Sequence, residues 1–282
     1  MADPKRTVWR ERYAEAAQRL GSKLEARRLV EEAASSDWPA CLDEPVSKRA
    51  DPYFAQMLDR RARGEPLQYV LGRWGFRTLD LLVDRRVLIP RPETELVVEV
   101  ALDEARRLAT KVAADLGTGS GAIALSLASE LPGVEVWATD ASDDALRVAR
   151  ANLTGIGTFA AARVRIVRGD WFAALPADLR GRLQLVVSNP PYIADDEILP
   201  AEVAEWEPAA ALRSGPTGLE AVAALITEAP DWLDRPGALV LEIAPHQADS
   251  ASGLAAQAGF GDVRVEPDLT GRARALVARI DG

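Results

Sequence analysis

Residues 112–131 constrain the fold more than any other stretch. A short apolar run, Val112-Ala113-Ala114-Asp115-Leu116, leads into Gly117-Thr118-Gly119-Ser120-Gly121. Ile123, Ala124, Leu127, Ala128 and Leu131 then recur at helical spacing. A strand, a glycine-rich turn and a helix in that order open an α/β sheet whose ligand lies at the strand's C-terminal end. Glycines permit the tight turn and let the backbone come close to that ligand. Further apolar runs at residues 134–139, 164–167, 185–188, 238–243, 263–265 and 275–280 alternate with helical segments. The chain is therefore expected to form an α/β sheet with its site along one edge.

The glycine turn alone also suits a dinucleotide. Two carboxylates narrow the choice. Asp115, just before the turn, can accept from an ammonium group and disfavours a pyrophosphate. Asp140 closes the next apolar run, about twenty residues after the turn, where a carboxylate accepts from ribose hydroxyls. No lysine or arginine stands within the turn to hold a phosphate. A nucleoside with an amino-acid tail fits, which is the chemistry of S-adenosylmethionine. Gly169-Asp170-Trp171-Phe172 follows a third run. Asp170 can accept from an adenine amino group and Trp171 can pack on the ring, although an acidic turn with a core aromatic explains those two residues as well.

Ser188-Asn189-Pro190-Pro191-Tyr192 directly follows Leu185-Val186-Val187. An amide or exocyclic-amine nitrogen shares its lone pair with a π-system and is a poor nucleophile. The Asn189 side-chain oxygen and the Pro190 carbonyl can accept both of its N–H groups, which aims the nitrogen and stabilises the charge that develops on it. Two prolines stiffen the loop, and Tyr192 offers a flat face to a planar group. The loop and the glycine turn should share one sheet edge, so a methyl donor and its acceptor can meet there.

Composition excludes several classes. One cysteine, Cys41, forbids an internal disulfide and suits a reducing compartment. The start, Met1-Ala2-Asp3-Pro4-Lys5-Arg6, has no signal-peptide core, and no apolar run approaches a bilayer span. The expectation is a cytoplasmic protein, without a membrane partner. A single histidine, His246, and no Cys/His cluster argue against a metal site and against histidine catalysis; His246 should lie at the surface after the fifth strand of the sheet. The net charge of −9 divides unevenly, +2 over residues 1–73 and −11 over residues 74–282. An acidic catalytic part is poorly suited to nucleic acid, whose phosphates demand cations.

Residues 1–73 read as a helical bundle. Val8, Tyr13, Ala16, Ala17 and Leu20 form a stripe that ends at Gly21. Ser22-Lys23-Leu24-Glu25 has the pattern of a capping box, with Leu24, Leu29, Val30 and Ala33 as candidate core. Asp51-Pro52 resembles an N-cap with proline at the first helical position. Residues 76–83 and 87–89, flanking Asp84-Arg85-Arg86, suggest a β-hairpin. By spacing alone, Pro90-Arg91-Pro92-Glu93-Thr94-Glu95 reads as a stiff linker before a helix. The expected division is a helical domain over 1–73, a hairpin and linker over 74–95, and a catalytic domain over 96–282.

Several strings together carry a resemblance. They are Gly64-Glu65-Pro66-Leu67-Gln68-Tyr69-Val70-Leu71-Gly72, Val87-Leu88-Ile89-Pro90-Arg91-Pro92-Glu93-Thr94-Glu95, the glycine turn, Asn189-Pro190-Pro191-Tyr192-Ile193, Glu207-Pro208 and Asp268-Leu269-Thr270-Gly271-Arg272-Ala273-Arg274. Over about residues 60–282 the chain resembles the PrmC/HemK family, the peptide chain release factor N5-glutamine methyltransferases. The Ile-Pro-Arg-Pro-Glu-Thr-Glu string is the most specific of these, and it displaces the linker reading. One departure is Glu242-Ile243-Ala244-Pro245, where the family commonly has glycine after isoleucine; only a local loop change is expected.

The resemblance implies a class I S-adenosylmethionine-dependent methyltransferase, with a Rossmann-like seven-stranded sheet whose last strand is antiparallel. It implies an N-terminal helical domain that helps dock the release factor. By position, Gly117, Thr118, Gly119, Ser120, Gly121, Asp140, Asp170, Trp171 and Asn189 become donor-site residues. Asn189, Pro190, Pro191 and Tyr192 become the clamp on the glutamine of a Gly-Gly-Gln motif. The implied partner is a class I release factor; a monomer is the expected state. Rival readings are a glutamine methyltransferase acting on a ribosomal protein, a nucleic-acid adenine-N6 methyltransferase, a nicotinamide-dependent dehydrogenase and a non-catalytic binding protein. No basic groove supports the second rival, and the last two leave the Asn-Pro-Pro-Tyr clamp without a use.

Overall fold

Among the described residues, nine strands and the helices between them form two compact units, one ending at Arg73 and the other covering Trp74–Gly282. The structure, a computed structural model, describes residues 7–282. The signal-peptide reading of residues 1–6 lies outside the described residues.

In the first unit the helices are Trp9–Leu20, Lys23–Ala34, Ala50–Ala62 and Leu67–Leu71. Trp9, Ala16, Leu29, Val30, Phe54, Met57 and Leu58 fill its core, with Trp9 edge-on to Phe54. Ser22 caps the second helix by accepting from the Glu25 amide. Two expectations fail here. Leu24 is 65% exposed, because it projects from the first turn away from the buried stripe of Ala26, Leu29, Val30 and Ala33. The third helix begins at Ala50, and the side chain that accepts from its first amide is Ser47, not Asp51.

β1 (Arg73–Phe76), which begins on the last residue of the first unit, and β2 (Leu79–Leu82) form a two-stranded sheet. This corrects the expected hairpin. The turn lies at Arg77-Thr78, with Arg77 at φ 51°, and residues 87–89 form no strand. Asp84 and Arg86 close a local ion pair, and the Ile89 amide is satisfied by the Glu207 carboxylate instead of a strand neighbour.

The main sheet holds β3 (Val112–Leu116), β4 (Glu135–Asp140), β5 (Val164–Arg168), β6 (Leu183–Ser188), β7 (Leu233–Glu242), β8 (Asp262–Pro267) and β9 (Ala273–Ile280). Their order is β5-β4-β3-β6-β7-β9-β8, and β9 alone runs antiparallel to its neighbours. The other pairings are parallel. Parallel strands are covered on both faces, which is why β6 and β7 carry nearly continuous apolar runs. Leu183, Val186, Leu239, Leu241 and Ile243 are buried with Val222, Leu225 and Ile226 of the helix Glu220–Trp232.

The order of the strands places the site. The chain leaves β3 for β4 on one side and returns to β6 on the other, so the C-terminal ends of β3, β4 and β6 flank a switch point. Ser188 donates from Oγ to the Leu116 carbonyl at 2.5 Å, which ties the last residues of β6 and β3 together. His246 is exposed just after β7. No helix among the described residues is long and apolar enough to cross a membrane.

Candidate active site

A cavity of about 480 Å3 opens at that edge. Gly117, Thr118, Gly119 and Ser120 line it from the turn after β3, Asp140 from the end of β4, Asp170 and Trp171 from the loop after β5, and Asn189 and Pro191 from the loop after β6. Thr94, Leu88, Pro90 and Arg86 close one wall, and Pro208, Ala210 and Ala211 another. Three expected residues stand behind these. Gly121 is the N-cap of the helix Ala122–Glu130, Pro190 is buried, and Tyr192 is half-buried beneath the loop.

The glycine turn has little latitude. Gly117 sits at φ 74°, and a Cβ there would come within 3.0 Å of the Trp171 ring. Asp140 holds the turn from the next strand, accepting from the Gly119 amide at 2.9 Å and from the Ser142 amide at 2.8 Å. Burial raises its pKa, and these amides partly offset that rise. Trp171 adopts φ 41°, an uncommon conformation for a large side chain and a form of strain that recurs at functional sites.

Asp115 differs from its expected role. It is fully buried and does not line the cavity. Its Oδ2 accepts from Thr118 Oγ1 at 2.6 Å and from the Ala124 amide at 3.0 Å, so it braces the turn and the helix start. Burial pushes its pKa up to about 7, with the charge of Asp140 adding to the rise against those two hydrogen bonds. A positive group also lies closer than the spacing suggested, because Arg86 reaches the cavity wall. Its guanidinium is occupied by Asp84, at 2.8 and 2.5 Å.

Around Asn189 lies a network that brings in Thr94, Glu242 and Gln247, none of them among the expected site residues. Asn189 Nδ2 donates to Thr94 Oγ1 at 3.1 Å. Thr94 Oγ1 donates to Glu242 Oε2 at 2.6 Å, and Tyr192 Oη donates to Glu242 Oε1 at 3.2 Å. Glu242 has no exposed surface, and burial pushes its carboxyl up against the bonds from Thr94 and Tyr192 and the charge of Arg274. Burial also makes the Tyr192 phenol hold its proton more firmly. Gln247 grips the loop backbone, donating to the carbonyls of Tyr192 at 3.0 Å and Gly218 at 2.9 Å. Gly218 permits this packing, since a Cβ on it would lie 2.7 Å from the Tyr192 carbonyl. A second tie, Arg91 to Glu207, joins the Pro-Arg-Pro segment to the loop before Pro208.

One sequence signal pointed at Glu242. An acidic residue that ends an apolar strand in a parallel sheet stands at the ligand edge. Ala244, where the family commonly has glycine, adopts an ordinary extended conformation (φ −71°, ψ 146°) that alanine takes without strain. Among the described residues, no group of three or more His, Cys, Asp or Glu is gathered in a way that could hold a metal ion.

Two family models match the chain. The one described as "PrmC N-terminal domain" matches residues 10–72, and the one described as "Methyltransferase small domain" matches residues 93–206. A release factor glutamine methyltransferase of Moorella thermoacetica is 42% identical, with 95% of this chain and 97% of that protein covered. One from Bordetella pertussis is 43% identical, with 92% and 94% covered. Among solved structures, a methyltransferase from Pyrococcus furiosus matches with a TM-score of 0.51 at 18% identity, over 81% of this chain and 98% of that one. The 16S rRNA N2 G1207 methyltransferase of T. thermophilus, in complex with AdoMet and guanosine, matches with a TM-score of 0.52 at 19% identity, over 73% and 49%. These two structures share the fold. By identity and coverage with the sequence relatives, the chain belongs to the release factor glutamine methyltransferase family.

Proposed function

We propose that this member of the family transfers a methyl group from S-adenosylmethionine to the side-chain amide nitrogen of the glutamine in the Gly-Gly-Gln motif of class I peptide chain release factors. The observation that carries the reading is the meeting of the glycine turn, Asp140 and Asn189 in one cavity. Such an enzyme works on the translation machinery, which suits a cytoplasmic protein.

The cavity fits the donor on three counts. Gly117 and Trp171 approach so closely that only a bare backbone fits between the turn and the ring. Asp140 presents a carboxylate at the end of β4, where ribose hydroxyls find an acceptor. Among the described residues, the one guanidinium on the wall is already committed to Asp84, so a pyrophosphate would meet no available cation from them there. When bound, the donor supplies an electrophilic methyl on a sulfonium.

The chain's own residues then aim the acceptor. With Nδ2 engaged by Thr94, the Asn189 side chain has Oδ1 left to accept an N–H from the substrate amide. The Pro190 carbonyl is assigned the second N–H. Holding both hydrogens orients the nitrogen lone pair and stabilises the positive charge that grows on it. No general base is needed, because the amide proton becomes acidic as the methyl arrives. Tyr192, whose proton is held firmly, serves as a packing surface. Asp140→Ala should weaken donor binding by about 1–3 kcal/mol, the usual cost of unpaired polar groups. Unchanged donor affinity by calorimetry would remove the ribose assignment.

The clamp is tested by mass spectrometry of release factor incubated with enzyme and donor, where methylation of the Gly-Gly-Gln glutamine is expected. Asn189→Ala should lower single-turnover methylation about 10²–10³-fold, comparable to the loss of one oxyanion-hole donor. A near wild-type rate would sink the clamp assignment. The unit ending at Arg73 is assigned the recruitment of the protein substrate. Its removal should leave donor binding nearly intact and impair methylation of whole release factor. Equal methylation of the intact factor by residues 74–282 alone would refute the recruiting role.

A further inference from the structure

Glu242 is an unusual residue to bury. It forms no ion pair among the described residues, and its two oxygens are met by two hydroxyls, from Thr94 and Tyr192. Burying a carboxylate carries a large desolvation cost that hydroxyl partners only partly offset. Both hydroxyls belong to the neighbourhood of the acceptor site. Thr94 lines the cavity and contacts Asn189, and Tyr192 ends the Asn-Pro-Pro-Tyr loop.

The directions of the hydrogen bonds matter more than their number. Thr94 has one hydroxyl proton, and it is given to Glu242 Oε2. Its oxygen therefore meets Asn189 as an acceptor, and the Asn189 group that answers an acceptor is Nδ2. An amide with Nδ2 turned toward Thr94 has Oδ1 turned away from it. If the amide rotated by half a turn, Oδ1 would face the Thr94 oxygen with no proton between them, and Nδ2 would oppose the N–H of a substrate amide. Among the described residues, the bond to Thr94 is the only side-chain hydrogen bond that Asn189 makes.

We propose that Thr94 and Glu242 are positioning residues that lock the Asn189 amide with its oxygen toward the acceptor substrate, while Glu242 fixes Tyr192 on the other side of the same clamp. The proposal rests on the reading of Asn189 as an acceptor for the substrate amide. It assigns a role to the threonine of the Ile-Pro-Arg-Pro-Glu-Thr-Glu string. It also explains why a strand as apolar as β7 ends in a carboxylate.

The test is single-turnover methylation of release factor at saturating donor, with donor affinity measured separately. Thr94→Val keeps the volume and removes the relay; its rate should fall about 10- to 100-fold, in the range expected for a misoriented catalytic group. Donor affinity should stay within about twofold, and Thr94→Ser should recover most of the rate, because it restores the hydroxyl. Glu242→Gln offers one accepting oxygen to two hydroxyl donors and should be several-fold slow, on the order of one lost hydrogen bond. It serves as the second variant should Thr94→Val fold poorly. Adding Thr94→Val to Asn189→Ala should slow the enzyme little further, since a residue acting through Asn189 has nothing left to orient. Wild-type rates in both Thr94→Val and Glu242→Gln, or additive losses in the double variant, would overturn the proposal while leaving the clamp intact. A wild-type rate in Asn189→Ala would overturn the clamp itself and the proposal with it.

Discussion

The helix Pro92–Arg107 meets a buried carboxylate at each end, and the two are treated in opposite ways. Near its C-terminus, its own Glu104 receives three guanidinium groups, Arg107 at 2.9 Å, Arg264 of β8 at 3.0 Å and Arg279 of β9 at 2.6 Å. Burial alone would raise the pKa of Glu104, but the bonds from Arg279, Arg264 and Arg107 outweigh it and hold the group at about 2. In the first turn, Thr94 meets Glu242, which has hydroxyl partners and a raised pKa. A carboxylate saturated with arginine, such as Glu104, ties helix to strands and does not line the active-site cavity. One left under-neutralised beside a cavity carries stored electrostatic cost, and such groups cluster where chemistry is done. The comparison sets a structural acid at one end of the helix against the acid proposed to position the clamp at the other.

The widest gap should come from Glu104→Ala. It removes the buried carboxylate that gathers three guanidinium groups, of which Arg264 keeps Glu266 and Arg279 keeps Asp262, and should lower the unfolding free energy by about 3 kcal/mol, the low end of the cost of breaking a buried pair. The methylation rate per folded molecule should stay near wild type. A large drop in that rate with little loss of stability would reverse the assignment of the two ends.

The second separation is in pH. Glu104 has a folded pKa below its unfolded value of 4.5, so its contribution is present above pH 4.5 and is lost as pH falls toward 2. A shift from 4.5 to about 2 corresponds to about 3 kcal/mol. Glu242 has a raised folded pKa, so its contribution is present below 4.5 and declines as pH rises through the folded value. Denaturant unfolding across this range should show a flatter acid limb in Glu104→Gln. In Glu242→Gln, stability relative to wild type should improve as pH rises above 4.5. Parallel curves for both variants would mean that neither carboxylate titrates differently in the fold.

Smaller effects sharpen the contrast. Tyr192→Phe deletes one of the two donors to Glu242 and should cost about 1 kcal/mol of stability, the net worth of one hydrogen bond, with a several-fold slower transfer. If Tyr192 acts as a ring face alone, the phenylalanine variant should lose only a little rate, so transfer kinetics decide between the two readings. Arg107→Ala should move stability by less than about 1 kcal/mol, since its side chain is 43% exposed and two arginines remain on Glu104. A chemical denaturation curve displaced as far as that of Glu104→Ala would show that the three arginines are not redundant.

Much of this architecture was legible before the structure. β3 was read with its ends in place, because an apolar run stops at a glycine. Of the residues expected at the donor site, all but Gly121 line one cavity, because the ends of adjacent parallel strands share an edge. The hairpin was misplaced for a physical reason. Val87 and Ile89 are buried, which looks like a strand in one dimension, but the backbone there is satisfied by Glu207, 118 residues away. The Thr94–Glu242 bond joins residues 148 apart, and no local spacing encodes it. Asp115 was read as facing a ligand because a carboxylate before a glycine turn has two uses. Its fully buried position selects the bracing one.

The Ser188–Leu116 bond fastens β6 to β3 one residue before each chain leaves the sheet for the cavity. The spacing between the roots of the glycine turn and the Asn-Pro-Pro-Tyr loop is thereby inherited from the sheet, about 4.8 Å, a length set by peptide hydrogen bonds and common to all sheets. Either loop can be reshaped, or the mouth of the cavity widened, while the two roots keep that separation. A lineage built on this scaffold can change what its loops hold far more easily than where they begin.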